Sequence, residues 1–262
     1  MKKSFVNNTN LSPSMLARKE GGKIAYEFIS GKSPGIIFLP GLKSDMNGEK
    51  ATAIRSFCAQ KGYSFLRFDY RGHGSSSGSF EEHTIGDWLE DCLFVLDNLT
   101  RGPQVLVGSS MGGWLMLLVT LLRPNRITAL LGLAVAPDFT EHLIWKKLNL
   151  EQKKQIEREG FIDLPNCYDP LQPFRITYNL IKEARNHLIL SKNIPIDIPV
   201  VLFHGLNDKD VPFSFSNQLL EKLESDEVDV TIIKSGDHRL SREVDIQRII
   251  QTLAFLVKQA KS

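Results

Sequence analysis

Six short apolar runs, each closed by glycine or proline, constrain the fold of this chain more than any other feature. Residues 36–39 end at Pro40-Gly41, 64–69 at Arg71-Gly72, and 105–107 at Gly108. Residues 129–135 end at Pro137, 200–203 at Gly205, and 228–233 at Gly236. Short runs with little polar alternation read as strands buried on both faces. Such strands need helices above and below them, and helical patterns lie between the runs. Residues 47–60 lead into Gly62, a helix stop. Residues 81–99 place Ile85, Trp88, Leu89, Cys92, Val95, Leu96 and Leu99 at three- and four-residue spacing, one apolar face. Residues 111–122 are apolar nearly all round and predict a buried helix; 241–258 repeat the amphipathic rhythm.

This alternation predicts an α/β fold with a mostly parallel central sheet flanked by helices. Residues 16–30 alternate around Gly21-Gly22 and predict an antiparallel hairpin at one edge. One stretch breaks the rhythm. Between 138 and 196 no strand is expected. A polar helix (151–159), a segment with Pro165, Pro170 and Pro173, and a second helix (176–190) are expected instead. An insertion of that size between two strands reads as a small helical cap over the strand ends. The 262 residues then make one domain, 1–262, with the cap at 138–196.

The chemistry concentrates at Gly108-Ser109-Ser110-Met111-Gly112, a G-x-S-x-G sequence with a strand before it and a buried helix after it. A nucleophile on such a turn sits in strained backbone with its hydroxyl exposed, and the flanking glycines let the turn close. Ser110 is therefore the expected nucleophile, and Ser109 is out of register. A serine needs a base, and the base needs an orienting acid, in chain order Ser, Asp, His. Asp208 follows the run at 200–203, and His238 follows the run at 228–233, both at the functional edge of an open α/β sheet. Asp138, past another strand end, is a rival acid. Asp210 reads as a solvated loop charge or helix cap. The oxyanion donors are expected to be the backbone N–H groups of Met111 and Leu42, with Gly41 letting the backbone approach substrate. Met111, Trp114 and Leu42 are expected to form an apolar pocket floor, so Gly41 and Trp114 are candidate substrate contacts. The glycine-rich stretch 68–78 lacks a phosphate-loop pattern. It reads as a structural loop beside the pocket, tied together by Asp69 and Arg71.

Composition narrows the alternatives. Lys and Arg number 32 against 30 Asp and Glu, a net charge of +2. That balance argues against a nucleic-acid partner. The longest apolar runs, 114–122 and 129–136, fall short of the roughly 18 residues of a membrane span. Three widely spaced cysteines, Cys58, Cys92 and Cys167, read as buried free thiols of a reducing compartment. With no HExxH and no Cys/His cluster, no cofactor and no metal is expected.

The stretches Arg67-Phe68-Asp69-Tyr70, Gly102-Pro103-Gln104, VGSSMGGWLML at 107–117 and Asp237-His238-Arg239 resemble the α/β-hydrolase family. Within it they are similar to the abhydrolase-domain acyl-protein thioesterases, which are mitochondrial in animals. The resemblance implies a Ser–Asp–His hydrolase of acyl thioesters and esters, with S-acylated proteins among its substrates. By position its triad falls on Ser110, Asp208 and His238. Many relatives carry His where this chain has Pro40, before Gly41. Residues 1–19 have no apolar signal core, and a single Arg is thin support for a transit peptide. A bacterial-type, cytoplasmic relative is therefore expected. Two other readings stay open: a non-catalytic protein of this fold that binds a small ligand or partner, and an amide or C–C bond hydrolase on the same three residues.

Overall fold

The computed structural model describes residues 12–165 and 173–260. β1 (Ser14–Ala17) and β2 (Lys23–Ile29) form the expected antiparallel hairpin around Gly21-Gly22, whose φ angles are 98° and 79°. β2 pairs antiparallel with β4 (Tyr63–Phe68). Beyond β4 the sheet is parallel: β3 (Lys32–Leu39), β5 (Gln104–Ser109), β6 (Ile127–Leu133), β9 (Val200–Gly205) and β10 (Val228–Ile233). The result is one eight-stranded sheet in the order β1-β2-β4-β3-β5-β6-β9-β10.

The side chains alternate across this sheet, and both faces are apolar. Ile37, Leu39, Leu66, Leu106 and Leu130 face α2 (Ile85–Leu99) and α3 (Met111–Leu122). Ile36, Phe38, Phe65, Val105 and Leu131 face α1 (Glu49–Lys61) and α7 (Glu243–Gln259). α3 buries ten of its residues, as its all-round apolar sequence requires. α2 begins later than its periodicity suggests. Thr84 caps it in a reciprocal box with Asp87, and Phe80–Glu82 forms a separate 3-10 turn. β10 departs from the expectation of two buried faces: only Ile233 is buried. It is the outer strand of the sheet, covered on one side by α6 (Ser214–Lys222).

The segment 138–196 differs from expectation in a specific way. A π-helical turn at Thr140–Ile144 leads into α4 (Leu150–Glu159), capped by Asn149 and stopped by Gly160 at φ 82°. Then come two strands that were not expected, β7 (Phe161–Leu164) and β8 (Phe174–Thr177). They pair antiparallel, with Ile162 opposite Ile176 and Asp163 opposite Arg175. The isoleucines are buried, and Arg175 binds both Asp163 carboxylate oxygens at 2.8 Å. Four-residue strands are too short to show a period; the pattern exists only across the pair. The helix expected at 176–190 shrinks to α5 (Tyr178–Ala184), followed by a 3-10 turn at Arg185–His187. Ile156, Ile162, Ile176, Leu180 and Ile189 join the same apolar cluster as α2 and α3.

Cys58 and Cys92 are buried and free; burial pushes the Cys58 thiol up to about 12 and the Cys92 thiol well above its ordinary value. Cys167, Pro170 and Leu171 lie outside the described residues. Among the described residues no helix is long and apolar enough to cross a membrane.

Candidate active site

The junction of β5 and α3 carries Ser110 in the left-handed region, at φ 53° and ψ −118°. A non-glycine residue held there stores of order 1–3 kcal/mol of backbone strain. The surroundings hold it: Ser110 N donates to Leu133 O at 2.9 Å, and Ala136 N donates to Ser110 O at 3.2 Å. The flanking glycines are required by contact. A Cβ on Gly108 would stand 2.5 Å from Gly112 O, and one on Gly112 would strike the Leu39 carbonyl. The strand ends of β9 and β10 converge by the same device, since a Cβ on Gly205 would lie 2.6 Å from Asp237 O.

That convergence brings three expected residues together. His238 Nε2 lies 3.1 Å from Ser110 Oγ, and His238 Nδ1 lies 2.8 Å from Asp208 Oδ2. The acceptor-only carboxylate assigns the hydrogen to Nδ1, leaving Nε2 to accept the serine proton. The Asp208 side chain is fully buried. Burial alone would raise its carboxyl; hydrogen bonds from His204, His238 and Val211 N–H outweigh that and hold it well below the usual carboxylate range. Oδ1 accepts from Asp210 N at 2.9 Å and Val211 N at 2.8 Å. Asp210 thus serves Asp208 through its backbone.

Asp138 is engaged elsewhere. Its carboxylate accepts from Ile189 N at 3.0 Å and Leu190 N at 2.9 Å, pinning the end of the 138–196 segment. Burial raises its carboxyl against those bonds.

Leu42 and Met111 offer backbone N–H groups with no acceptor among the described residues. Met111 opens α3, where first-turn N–H groups have no intrahelical partner. Gly41 places the Leu42 loop against the elbow: a Cβ there would lie 3.4 Å from Ser110 Cβ.

The glycine-rich turn does more than the sequence suggested. Tyr70 Oη donates to Pro40 O at 3.1 Å, and His73 Nε2 accepts from Lys43 N at 3.0 Å. These two bonds orient the loop on either side of Leu42, so Pro40 in the place of a histidine leaves it anchored. Asp69 holds the turn itself, accepting from Met46 N and Ser75 N, as expected. Arg71 ties the turn to α2 through the buried Asp91 at 2.8 Å and Asp87 O at 2.7 Å. The R-G-H-G sequence was the available signal for these roles, but nothing in it names Lys43 as the partner.

Trp114 is corrected. It is fully buried, donating from Nε1 to His187 O at 3.2 Å and stacked edge-on against Phe139. Its indole fills the seam between α3 and the 138–196 segment and forms no open floor. Among the described residues Asp208, Asp210 and His238 place possible metal-ligand atoms within 4.8 Å of one another. A cation there would compete with the bonds that already join Asp208 to His238 and to Val211.

A family model described as the alpha/beta hydrolase fold matches residues 34–160. The bovine protein named palmitoyl-protein thioesterase ABHD10, mitochondrial, is 44% identical over 248 residues, spanning 94% of this chain and 80% of that protein. The chain belongs to the α/β-hydrolase family. The mouse protein of the same name is 45% identical to this hydrolase over 94% of the chain and 82% of its own length. The solved structure of alpha/beta hydrolase domain-containing protein 10 from mouse superimposes on the hydrolase with a TM-score of 0.89. It is 44% identical and covers 95% of this chain and 99% of that one. These relatives overturn the cytoplasmic expectation: they are mitochondrial by name, which points to mitochondria instead. The overturned expectation rested on the composition of residues 1–19 alone.

Proposed function

We propose that the chain hydrolyses acyl thioesters and carboxylic esters through an acyl-enzyme on Ser110, with fatty acyl groups on protein cysteines as the favoured substrate class. The observation that carries this reading is the relay Ser110 Oγ–His238 Nε2–Asp208 Oδ2, at 3.1 and 2.8 Å, beside two free N–H groups. The relatives named palmitoyl-protein thioesterase support the substrate class.

In this mechanism His238 Nε2 takes the proton from Ser110 Oγ as the oxygen bonds to the acyl carbon. The Leu42 and Met111 N–H groups receive the negative oxygen. Collapse breaks the carbon–sulfur or carbon–oxygen bond, and His238 returns the proton to the leaving atom. Water, deprotonated by His238, then releases the acid, and Ser110 Oγ recovers its proton. Asp208 holds the imidazole in the required tautomer throughout. The segment 138–196 acts as a roof, with Leu143, Ile144 and Phe174 partly buried on the apolar cluster beneath it.

A fluorophosphonate probe tests the nucleophile: labelling of the wild type and none of Ser110→Ala is expected. A series of p-nitrophenyl esters and S-acylated peptides from acetyl to palmitoyl tests the substrate class. Each buried methylene is worth about 0.8 kcal/mol, about fourfold in kcat/KM, until the pocket fills. A strict preference for acetyl, or efficient peptide cleavage without ester or thioester turnover, would overturn the thioesterase reading.

A further inference from the structure

His204, on β9, has no part in the relay, yet it is fully buried beside it. Its Nε2 faces two acceptors, Val211 O at 2.9 Å and Asp208 Oδ2 at 3.2 Å. With Asp208 ionised, neither can donate, so Nε2 carries the hydrogen. The geometry aims that hydrogen at Val211 O and leaves Asp208 Oδ2 beside it as a second acceptor. Val211 closes the ring, because its N–H donates to Asp208 Oδ1 at 2.8 Å. One imidazole and one peptide therefore grip both oxygens of the carboxylate. On its far side His204 Nδ1 meets Ser216 Oγ at 2.8 Å, which fixes the ring plane.

We propose that His204 is a positioning residue for the Asp208–His238 pair. This rests on the reading of Ser110, His238 and Asp208 as the catalytic relay. Asp208 Oδ2 serves two histidines at once, His238 at 2.8 Å and His204 at 3.2 Å. The His204 N–H dipole spreads the carboxylate charge, so Asp208 orients His238 without holding its proton too firmly. Removing that dipole leaves Oδ2 to His238 alone. The imidazolium is then favoured, and His238 stays protonated, and inactive as a base, to higher pH.

Titratable groups beside the pair include Asp210, whose carboxylate lies near Asp208 and His238, and Asp237, next to His238 in the chain, which interacts with Lys50 together with Arg239. Lys50 Nζ donates to the Arg239 carbonyl. All four are left in place by the test. His204→Asn puts an amide where Nδ1 lies, within reach of Ser216, but leaves the Nε2 position empty. His204→Gln puts an amide N–H near the Nε2 position. The measurement is the pH profile of kcat and kcat/KM on a p-nitrophenyl ester, with thermal melting as the check on folding.

The expected result is that the acid limb of kcat/KM moves to higher pH and kcat falls about tenfold in the Asn form, the scale of one hydrogen bond to a charged group. The Gln form stays near the wild-type profile. The low-field proton resonance of His238 Nδ1–H shifts in the Asn form only. Equal behaviour of the two variants, or loss of fold in the Asn form, overturns the proposal. Loss of activity in Ser110→Ala, run in parallel, keeps that failure separate from failure of the relay itself.

Discussion

The Lys43 backbone N–H donates to His73 Nε2 at 3.0 Å, and this bond joins the glycine-rich turn to the loop that presents the Leu42 N–H. His73 can accept there because it is buried among Tyr70, Phe80 and Trp88, and burial pushes its pKa down to about 4. Its other nitrogen, Nδ1, faces Arg71 O at 3.2 Å and therefore carries the hydrogen.

His73→Phe keeps an aromatic ring in that cluster and removes the acceptor. kcat is expected to fall at least tenfold with KM little changed, because a misplaced oxyanion donor weakens the transition state more than the ground state. Steady-state kinetics on one ester checks this.

The same histidine makes stability depend on pH. Its folded pKa of about 4 lies below the ordinary value of 6.5, so the unfolded chain binds more protons between those values. Stability from this group is complete above about pH 6.5 and declines as pH falls toward 4, by on the order of a few kcal/mol. Urea unfolding across that range should show the slope in the wild type and a shallower one in His73→Phe.

At the elbow, function and stability should separate. Ser110→Ala is expected to lose a factor of about 10⁴–10⁶ in turnover while staying folded. Ser110→Gly should be equally inactive yet more stable, by about 1–2 kcal/mol, since glycine adopts φ 53° without a Cβ clash. Paired melting curves and turnover measurements test both variants.

Asp208 and Asp138 should fail differently. Asp208→Asn is expected to keep its fold and to lose activity on the order of 10⁴-fold, because an amide no longer selects the His238 tautomer. Asp138→Asn should stay active but melt at lower temperature, since its carboxylate serves the N–H groups of Ile189 and Leu190. A dead, fully stable Asp138→Asn protein would reverse the two assignments.

The parallel strands and the elbow were legible because each is written locally. An apolar run with a terminal glycine specifies a buried strand and a tight exit, and Gly108 and Gly112 are needed within their own turn. Asp208 and His238 were legible because their strands end in glycine at the same sheet edge. What was missed depends on contacts across the chain. β7 and β8 are recognisable only when Ile162 is set opposite Ile176. Trp114 read as pocket floor because apolar character does not tell a lining from a filling. His73 and His204 act through partners, Lys43 N–H and Val211 O, that no spacing announces.

The described part of the 138–196 segment, proposed above as a roof, shares one apolar mass with the body, in which Ile156, Ile162, Ile176 and Leu180 belong to one cluster with Trp88, Trp114 and Leu118. Lifting the roof as a rigid flap would wet several of these side chains at about 1.5–3 kcal/mol each, comparable with the whole stability of a domain. The roof therefore has no melting transition of its own, and a calorimeter should record a single cooperative peak. On the proposed function, a long acyl chain would enter by local side-chain rearrangement at the seam, on the timescale of rotamer and loop motion, without a hinge.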